Sequence, residues 1–325
     1  MVLYLDQKDV QSVLEMKDTI DAVEAAFRDM GLGQIEMPAR VYLHFEKYNG
    51  VLIAMPAYIK GPDAAGLKVV TVHPDNPAKN NIPSVIATIV LNDPRNGLPL
   101  AIMDGTYITA LRTGAAGACG AKYLSRTDSK AAAVIGLGVQ GRSQLTGLCQ
   151  VRQIERAKAY DVLPEARKRY SEEMSHRLGI DVQPCDSLEQ ALSGADIVVT
   201  CTPSAKPYLR AEWIAPGTHV SAVGADTAAK RELESGLVKK VDRLVVDFIP
   251  QALVVGDFAA PIAEGVLKKE DLNTELGEIV AGKKKGRQRH DEITLFKATG
   301  LAIQDVSTAY RVYNLAKSKG IGKEI

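Results

Sequence analysis

No run of eighteen apolar residues occurs in this 325-residue chain, so no segment reads as a membrane-spanning helix. The first residues, M-V-L-Y-L-D-Q-K-D-V, lack a basic stretch followed by a long apolar one, so they do not read as a secretory signal. The expected compartment is therefore the cytoplasm. An excess of charge of one sign is also missing. Forty Lys and Arg stand against thirty-nine Asp and Glu, a formal net charge of +1, which argues against nucleic acid or an anionic membrane as a bulk electrostatic partner. One basic run, Lys283, Lys284, Lys285, Arg287 and Arg289, lies beside Gly282 and Gly286 and reads as a solvated loop between two elements. Cysteine is scarce, with four residues at 119, 149, 185 and 201. None forms C-x-x-C and none lies at a zinc-ligand offset from a histidine, so reduced, mostly buried thiols are expected and no metal site is. No G-x-S-x-G nucleophile motif, internal repeat or low-complexity tract is present. What remains is an ordinary globular composition, 46% apolar and 24% charged, in a chain long enough for two domains.

The two parts of the chain follow different patterns. After a short strand V-L-Y-L, Asp6 can cap a helix to about Met16, and residues 17–30 place Ile20, Val23, Ala26 and Phe27 at helical spacing. Four β-rich runs follow, 40–45, 51–58, 65–72 and 85–92, each bounded by Gly, Pro, Asn or Asp. The turn N-D-P-R-N-G-L-P leads to a fifth at 100–103. Strand after strand implies an antiparallel or mixed sheet. A helix over 107–124 is rich in Ala and Gly, which suits close packing, including against a partner subunit. From residue 131 strands and helices alternate. Strands are expected at 131–136, 157–161, near 181–184, 196–202, 218–224, 243–247 and 293–296, with helices at 140–151, 164–178 and 188–192. That alternation predicts a Rossmann-type, doubly wound parallel sheet covered on both faces. The expected division is an α+β substrate-binding and dimerisation domain at 1–125 and a dinucleotide-binding domain at 126–300. A final helix over 301–317 heads a tail, 301–325, that crosses back to the first domain.

Residues 134–141, V-I-G-L-G-V-Q-G, carry the most informative motif. Gly136, Gly138 and Gly141 follow an apolar strand and open a helix, the context a dinucleotide cradle requires. The first glycine permits the tight turn, the second lets backbone approach a pyrophosphate, and the third lets the helix pack on the strand. The helix N-terminus, with Val139 and Gln140, would face the phosphates with free N–H groups. Asp161 stands at the end of the next strand, where a carboxylate accepts hydrogen bonds from ribose hydroxyls and repels a 2′-phosphate. Y-D-V-L-P places no cation immediately after it, so NAD is favoured over NADP. The alternative is a Rossmann-like domain without a cofactor.

Charged residues in apolar surroundings are the candidates for substrate binding, because burying them is costly without a role. Arg40 begins R-V-Y-L, Lys68 interrupts G-L-K-V-V-T-V, and Arg112 lies in A-L-R-T-G-A-A-G. Together they could hold one carboxylate, the arginines by bidentate forks and Lys68 as a point charge. Each alone reads equally as a surface ion pair or a snorkelling side chain. Asp226, in S-A-V-G-A-D, ends a strand of the alternating region, where ligands of open α/β sheets bind. It reads either as a proton-exchanging group or as a helix cap. His73 follows Lys68 closely enough to line a site; His44, His176, His219 and His290 are scattered and read as structural or solvated.

Taken in order, M-P-A-R-V-Y-L, A-M-P-A-Y, G-L-K-V-V-T-V-H-P-D-N-P, L-R-T-G-A-A-G, G-L-G-V-Q-G, S-A-V-G-A-D and T-G-L-A-I-Q-D resemble the ornithine cyclodeaminase/μ-crystallin family, from about residue 4 to 320. Within it the chain looks most like the archaeal-type alanine dehydrogenases. The resemblance implies a homodimer, a substrate carboxylate held by Arg40, Lys68 and Arg112, and Asp226 as acid/base. Thr113 matches a cofactor-contacting position, and Asp305 falls in a family block without an assigned role. Ketimine reductases of this kind typically lack Asp at the position of Asp226, which favours the dehydrogenase or cyclodeaminase branches. The cyclodeaminases carry an acidic residue just before M-P, where this chain has Ile53 and Ala54; that departure weakens a diamine substrate. The expected activity is NAD-dependent, reversible oxidative deamination of a small L-amino acid, alanine first, with Lys68 and Asp226 as catalytic residues. The alternatives are ornithine cyclisation to proline with loss of ammonia, reduction of a cyclic imine acid, and a nucleotide-binding protein without turnover.

Overall fold

A computed structural model describes residues 1–325. The chain divides into two units, Met1–Arg112 with Leu301–Ile325, and Thr113–Gly300. The sequence placed the first boundary at 125/126. It falls at 112/113 instead, within an unbroken helix, because the small residues after 113 pack into the second unit.

In the first unit β1 (Leu3–Leu5) leads to α1 (Gln7–Val13), which a capping box starts: Asp6 accepts from the Asp9 N–H and Asp9 from that of Asp6. α2 (Met16–Gly31) buries Ile20, Val23, Ala26 and Phe27, the stripe read from the sequence. Then come β2 (Ile35–Glu36), β3 (Val41–Phe45), β4 (Gly50–Ile59), β5 (Ala64–Val72), a short α3 (Asn76–Asn80), β6 (Val85–Asn92), β7 (Pro99–Asp104) and α4 (Thr106–Leu124). β3 to β7 pair antiparallel in succession and β1 joins β7 in parallel, so the sheet is mixed. Met55, Lys68 and Ile89 are directly opposite one another across β4, β5 and β6. Side chains alternate between faces along a strand, so Lys68 shares its face with Met55, Ala57, Val70, Ile89 and Leu91, all buried.

The second unit runs β8 (Ala131–Ile135), α5 (Val139–Val151), β9 (Arg156–Tyr160), α6 (Pro164–Leu178), β10 (Asp181–Pro184), α7 (Leu188–Leu192), β11 (Ile197–Thr200), β12 (His219–Ala222), α8 (Ser235–Lys240), β13 (Arg243–Val246), α9 (Ile249–Ala252), α10 (Gly256–Ala263), α11 (Leu276–Val280) and β14 (Thr294–Lys297). Its seven strands are all parallel in the order β10-β9-β8-β11-β12-β14-β13. The chain steps outward from β8 to β9 and β10 on one side and from β11 to β12 and the edge strand β13 on the other, with β14 returning between β12 and β13, so a topological switch point lies between β8 and β11. The helices α9, α10 and α11 carry no periodicity that marked them in the sequence.

The small residues of α4 pack closely, as expected: a Cβ on Gly114 would clash with Ser143, one on Gly117 with Gln144 and one on Gly120 with Phe296. One expectation is revised: the basic run is not wholly solvated. Arg287 turns inward and donates to the carbonyls of Leu124 and Glu292, because the end of α4 and the approach to β14 leave acceptors there that a guanidinium can satisfy at once.

The tail returns to the first unit. α12 (Ala302–Lys319) buries Ile303, Val306, Ala309 and Val312 against α2, β4 and β5, while Tyr310 and Tyr313 stay half-buried. β15 (Lys323–Glu324) pairs with β1. No helix is long and apolar enough to cross a membrane.

Candidate active site

In the first unit, three elements far apart in sequence bring charges together. Lys68 on β5 and Arg112 on α4 converge on Asp305 in the first turn of α12. Lys68 Nζ lies 2.7 Å from Asp305 Oδ2, and Arg112 Nε lies 2.9 Å from Asp305 Oδ1. Arg112 Nη1 also donates to Gln304 Oε1 at 2.8 Å. Lys68 is 1% exposed and Asp305 0%, so neither the surface-pair nor the snorkelling reading applies to Lys68. Burial pulls the Lys68 ammonium down to about 7; the neighbouring Arg112 adds to that, Asp305 opposes it, and Arg40 contributes a smaller repulsion. Arg40 itself is half-buried just before β3, with Nη1 3.5 Å from the Tyr42 hydroxyl. Sequence reasoning left Asp305 without a role; its block, T-G-L-A-I-Q-D, was the signal, but nothing local showed which cations it would meet.

In the second unit, the glycine loop leaves β8 at the switch point, the position at which open α/β sheets bind ligands. Gly136 has φ +95°, and a Cβ there would lie 2.7 Å from the Cys201 carbonyl oxygen. A Cβ on Gly141 would clash with the Gly136 carbonyl. Gly138 meets nothing within 4 Å, so its backbone is the part of the loop open to approach. It is also the N-cap of α5 and offers no side-chain cap, so ligand oxygens can take the first N–H groups. Val139 is exposed on the first turn, and Gln140 is half-buried beside Ser143. Asp161 follows β9 and accepts from Leu137 N at 3.0 Å and Leu163 N at 3.1 Å. Its carboxylate thus abuts the glycine loop, and each oxygen has a further lone pair for a ribose hydroxyl. These residues fit a dinucleotide. Thr113 is half-buried, and its carbonyl accepts from Gln144 on α5.

Asp226 lies in the loop after β12, exposed and 2.7 Å from Lys230. It caps no helix, since α8 begins later with Glu234 as its N-cap. The histidines stay outside both groups. His73 stacks on Phe45, and buried His219 bonds Thr294. Burial, helped by Arg287 and Arg152, pulls His219 down to about 3, so the ring remains neutral. All four cysteines are unpaired in disulfides.

A parallel sheet with a glycine loop at its switch point that fits a dinucleotide defines a dinucleotide-binding α/β protein. Comparison with known proteins narrows this. The sequence matches the ornithine cyclodeaminase/mu-crystallin family over residues 2–320, and the chain belongs to that family. It is 46% identical to an alanine dehydrogenase of Archaeoglobus fulgidus over 324 residues, covering 99% of this chain and 98% of the relative. Among solved structures, the Thermococcus litoralis Δ1-pyrroline-2-carboxylate reductase in complex with NADH and L-proline superposes with a TM-score of 0.96 at 44% identity, over 100% of both chains. An archaeal alanine dehydrogenase dimer with bound NAD superposes with 0.94 at 46% identity, over 100% of this chain and 98% of the other.

Proposed function

We propose that this chain is an NAD-dependent oxidoreductase that acts on the carbon–nitrogen bond of a small 2-amino or 2-imino acid, with reversible oxidative deamination of L-alanine as the leading reaction. The carrying observation is the buried Lys68–Asp305–Arg112 cluster. With Arg40 nearby, the cluster gathers guanidinium and amine donors that a substrate carboxylate could meet. Arg40, Lys68 and Arg112 would bind that carboxylate and orient the substrate carbon. Because Lys68 is held near 7, its amine can exchange a proton at neutral pH. Asp226, exposed in the loop after β12, would take the amine proton and, once it has passed that proton to solvent, activate the water that hydrolyses the substrate iminium to oxo acid and ammonia. NAD, when bound, accepts or returns the hydride; Gly136, Gly138, Val139, Gln140, Gly141, Asp161 and Thr113 would hold it. A homodimer fits the exposed apolar residues Val41, Leu43 and Tyr48 around β3.

The second reading is reduction of a cyclic imine acid. The Thermococcus litoralis structure favours it, since it superposes on the whole chain at least as well as the alanine dehydrogenase does, at nearly the same identity. It needs the same carboxylate site but no hydrolytic water. Ornithine cyclisation is less well supported: Ile53 shares the Lys68 face of the sheet, two residues from Met55, where a carboxylate would suit a distal ammonium.

The test follows absorbance at 340 nm with NAD and L-alanine, L-proline or L-ornithine, with ammonia assayed in parallel. Alanine-dependent NADH matched by ammonia supports the leading reaction. NADH oxidation by a cyclic imine acid, without alanine turnover, replaces it with the second. Ammonia from ornithine without net NADH would establish the cyclodeaminase. Asp226→Asn should abolish turnover while leaving NAD binding intact; undiminished turnover would remove Asp226 from the chemistry.

A further inference from the structure

Behind the Asp226 loop lies a buried carboxylate that the chemistry above does not use. Glu232 is 0% exposed, yet no cation pairs with it. Its Oε1 accepts from Thr202 N at 2.7 Å, Thr202 Oγ1 at 2.8 Å and Tyr208 Oη at 2.9 Å. Its Oε2 accepts from Thr200 Oγ1 at 2.8 Å and Gly224 N at 2.9 Å. Burial, reinforced by Glu232, pushes the Tyr208 phenol well above its usual range, so that hydroxyl keeps its proton to donate. Five donors on one group specify an acceptor-only side chain.

The donors come from the ends of two adjacent parallel strands. Thr200 ends β11 and Thr202 lies just beyond it; Gly224 lies just beyond β12, two residues before Asp226. Gly224 records how tightly the carboxylate seats, because a Cβ there would stand 2.5 Å from Thr202 N and 2.6 Å from Glu232 Oε1. The β11 loop in turn braces the cradle: the Cys201 thiol donates to the Gly136 carbonyl at 3.0 Å. Glu232 is fixed from behind as well. Asp257 Oδ1 accepts from the backbone N–H groups of Glu232 and Leu233 at 2.7 and 3.0 Å, and Asp257 Oδ2 lies 2.8 Å from buried Lys297.

We propose that Glu232 is a positioning residue: it binds the β11 and β12 loops into one unit and thereby sets Asp226 relative to the glycine cradle. This rests on the acid/base reading of Asp226. An amide in place of the carboxylate would turn N–H groups toward donors, which separates the two loops.

Four variants test it: Glu232→Gln, Gly224→Ala, Tyr208→Phe and, as reference, Asp226→Asn. Each is assayed for kcat and KM with the substrate that turns over, for NAD dissociation constant by fluorescence titration, and for Tm. Glu232→Gln and Gly224→Ala should lower kcat by ~10–100-fold, as expected for sub-ångström to ångström displacement of a reacting group. Their NAD affinity should change little. Tyr208→Phe, which deletes one donor of five, should show the same pattern more weakly. Should Glu232→Gln fail to fold, Gly224→Ala and Tyr208→Phe decide. Unchanged kcat in the folded variants overturns the proposal, as does a loss of NAD affinity as large as the loss of kcat, which would make Glu232 a brace for the cradle alone. If Asp226→Asn turns over normally, the acid/base reading fails by itself; if it is inactive while the other variants are unimpaired, only the positioning role fails.

Discussion

In the first unit a buried lysine, Lys68, faces the buried carboxylate of Asp305 at 2.7 Å, whereas in the second a buried glutamate, Glu232, faces five uncharged N–H and O–H donors. Both arrangements offset desolvation, but by different means. The ionic one leaves its members coupled: Lys68 feels Arg112, Asp305 and Arg40 together, and its proton affinity falls into the physiological range. The dipolar one is built from backbone N–H groups at strand ends and from hydroxyls that do not titrate near neutrality. Under the proposed function the first unit would hold a charged substrate and move a proton, which the first arrangement suits, and the second unit would present a fixed backbone surface to a dinucleotide, which the second arrangement suits.

The largest expected effect comes from removing the titrating member of the ionic cluster. Lys68→Met should lower kcat/KM by roughly 10²–10⁴-fold, the range for loss of a general acid or base, with NAD affinity unchanged. It should also change how stability follows pH. Lys68 sits at about 7 in the folded chain against 10.5 as its ordinary value. Between those values the unfolded chain holds the extra proton, so wild-type stability gains a rising contribution from pH 7 to 10.5, while below 7 the penalty is fully present. That contribution should vanish in Lys68→Met when chemical denaturation is compared across the window. Retention of both activity and slope would mean that the two units do not differ as described.

A smaller effect on catalysis, and a large one on stability, is expected of Asp305→Asn. Removing one partner of a buried pair costs about 3–5 kcal/mol. Because Asp305 is the group that raises Lys68, its loss should shift the Lys68 titration further below 7. The corresponding limb of the kcat/KM–pH profile should move to lower pH. A limb that stays in place would show that Asp305 does not set the lysine.

The smallest expected effects sharpen the dipolar side. Gly141→Ala places a methyl group on the Gly136 carbonyl and should destabilise the second unit by about 1–3 kcal/mol, as overpacking does. Gly138→Ala has open space and an ordinary φ of −78°, so Tm should hold while NAD titration shows weaker binding. Undiminished NAD affinity in Gly138→Ala would place the pyrophosphate elsewhere.

Local order in the chain determined much of this protein by itself. The alternation of apolar strands and helices after residue 131 specifies a parallel sheet, since helical and extended periodicities are written in neighbouring residues. Gly136, Gly138, Gly141 and Asp161 are legible as a candidate cradle for the same reason: the turn, the helix start and the next strand end lie within one βαβ unit. Lys68 and Arg112 stood out as charges among apolar neighbours. Only the tertiary structure decided their partner, because Asp305 arrives from the far end of the chain on α12, and long-range pairing has no local signature. It decided that α4 passes from one unit to the other within a helix, that Arg287 turns inward, and that Glu232 receives donors from two strand ends. A buried carboxylate in a sequence looks like any other Glu; its role is fixed by which N–H and O–H groups folding brings to it.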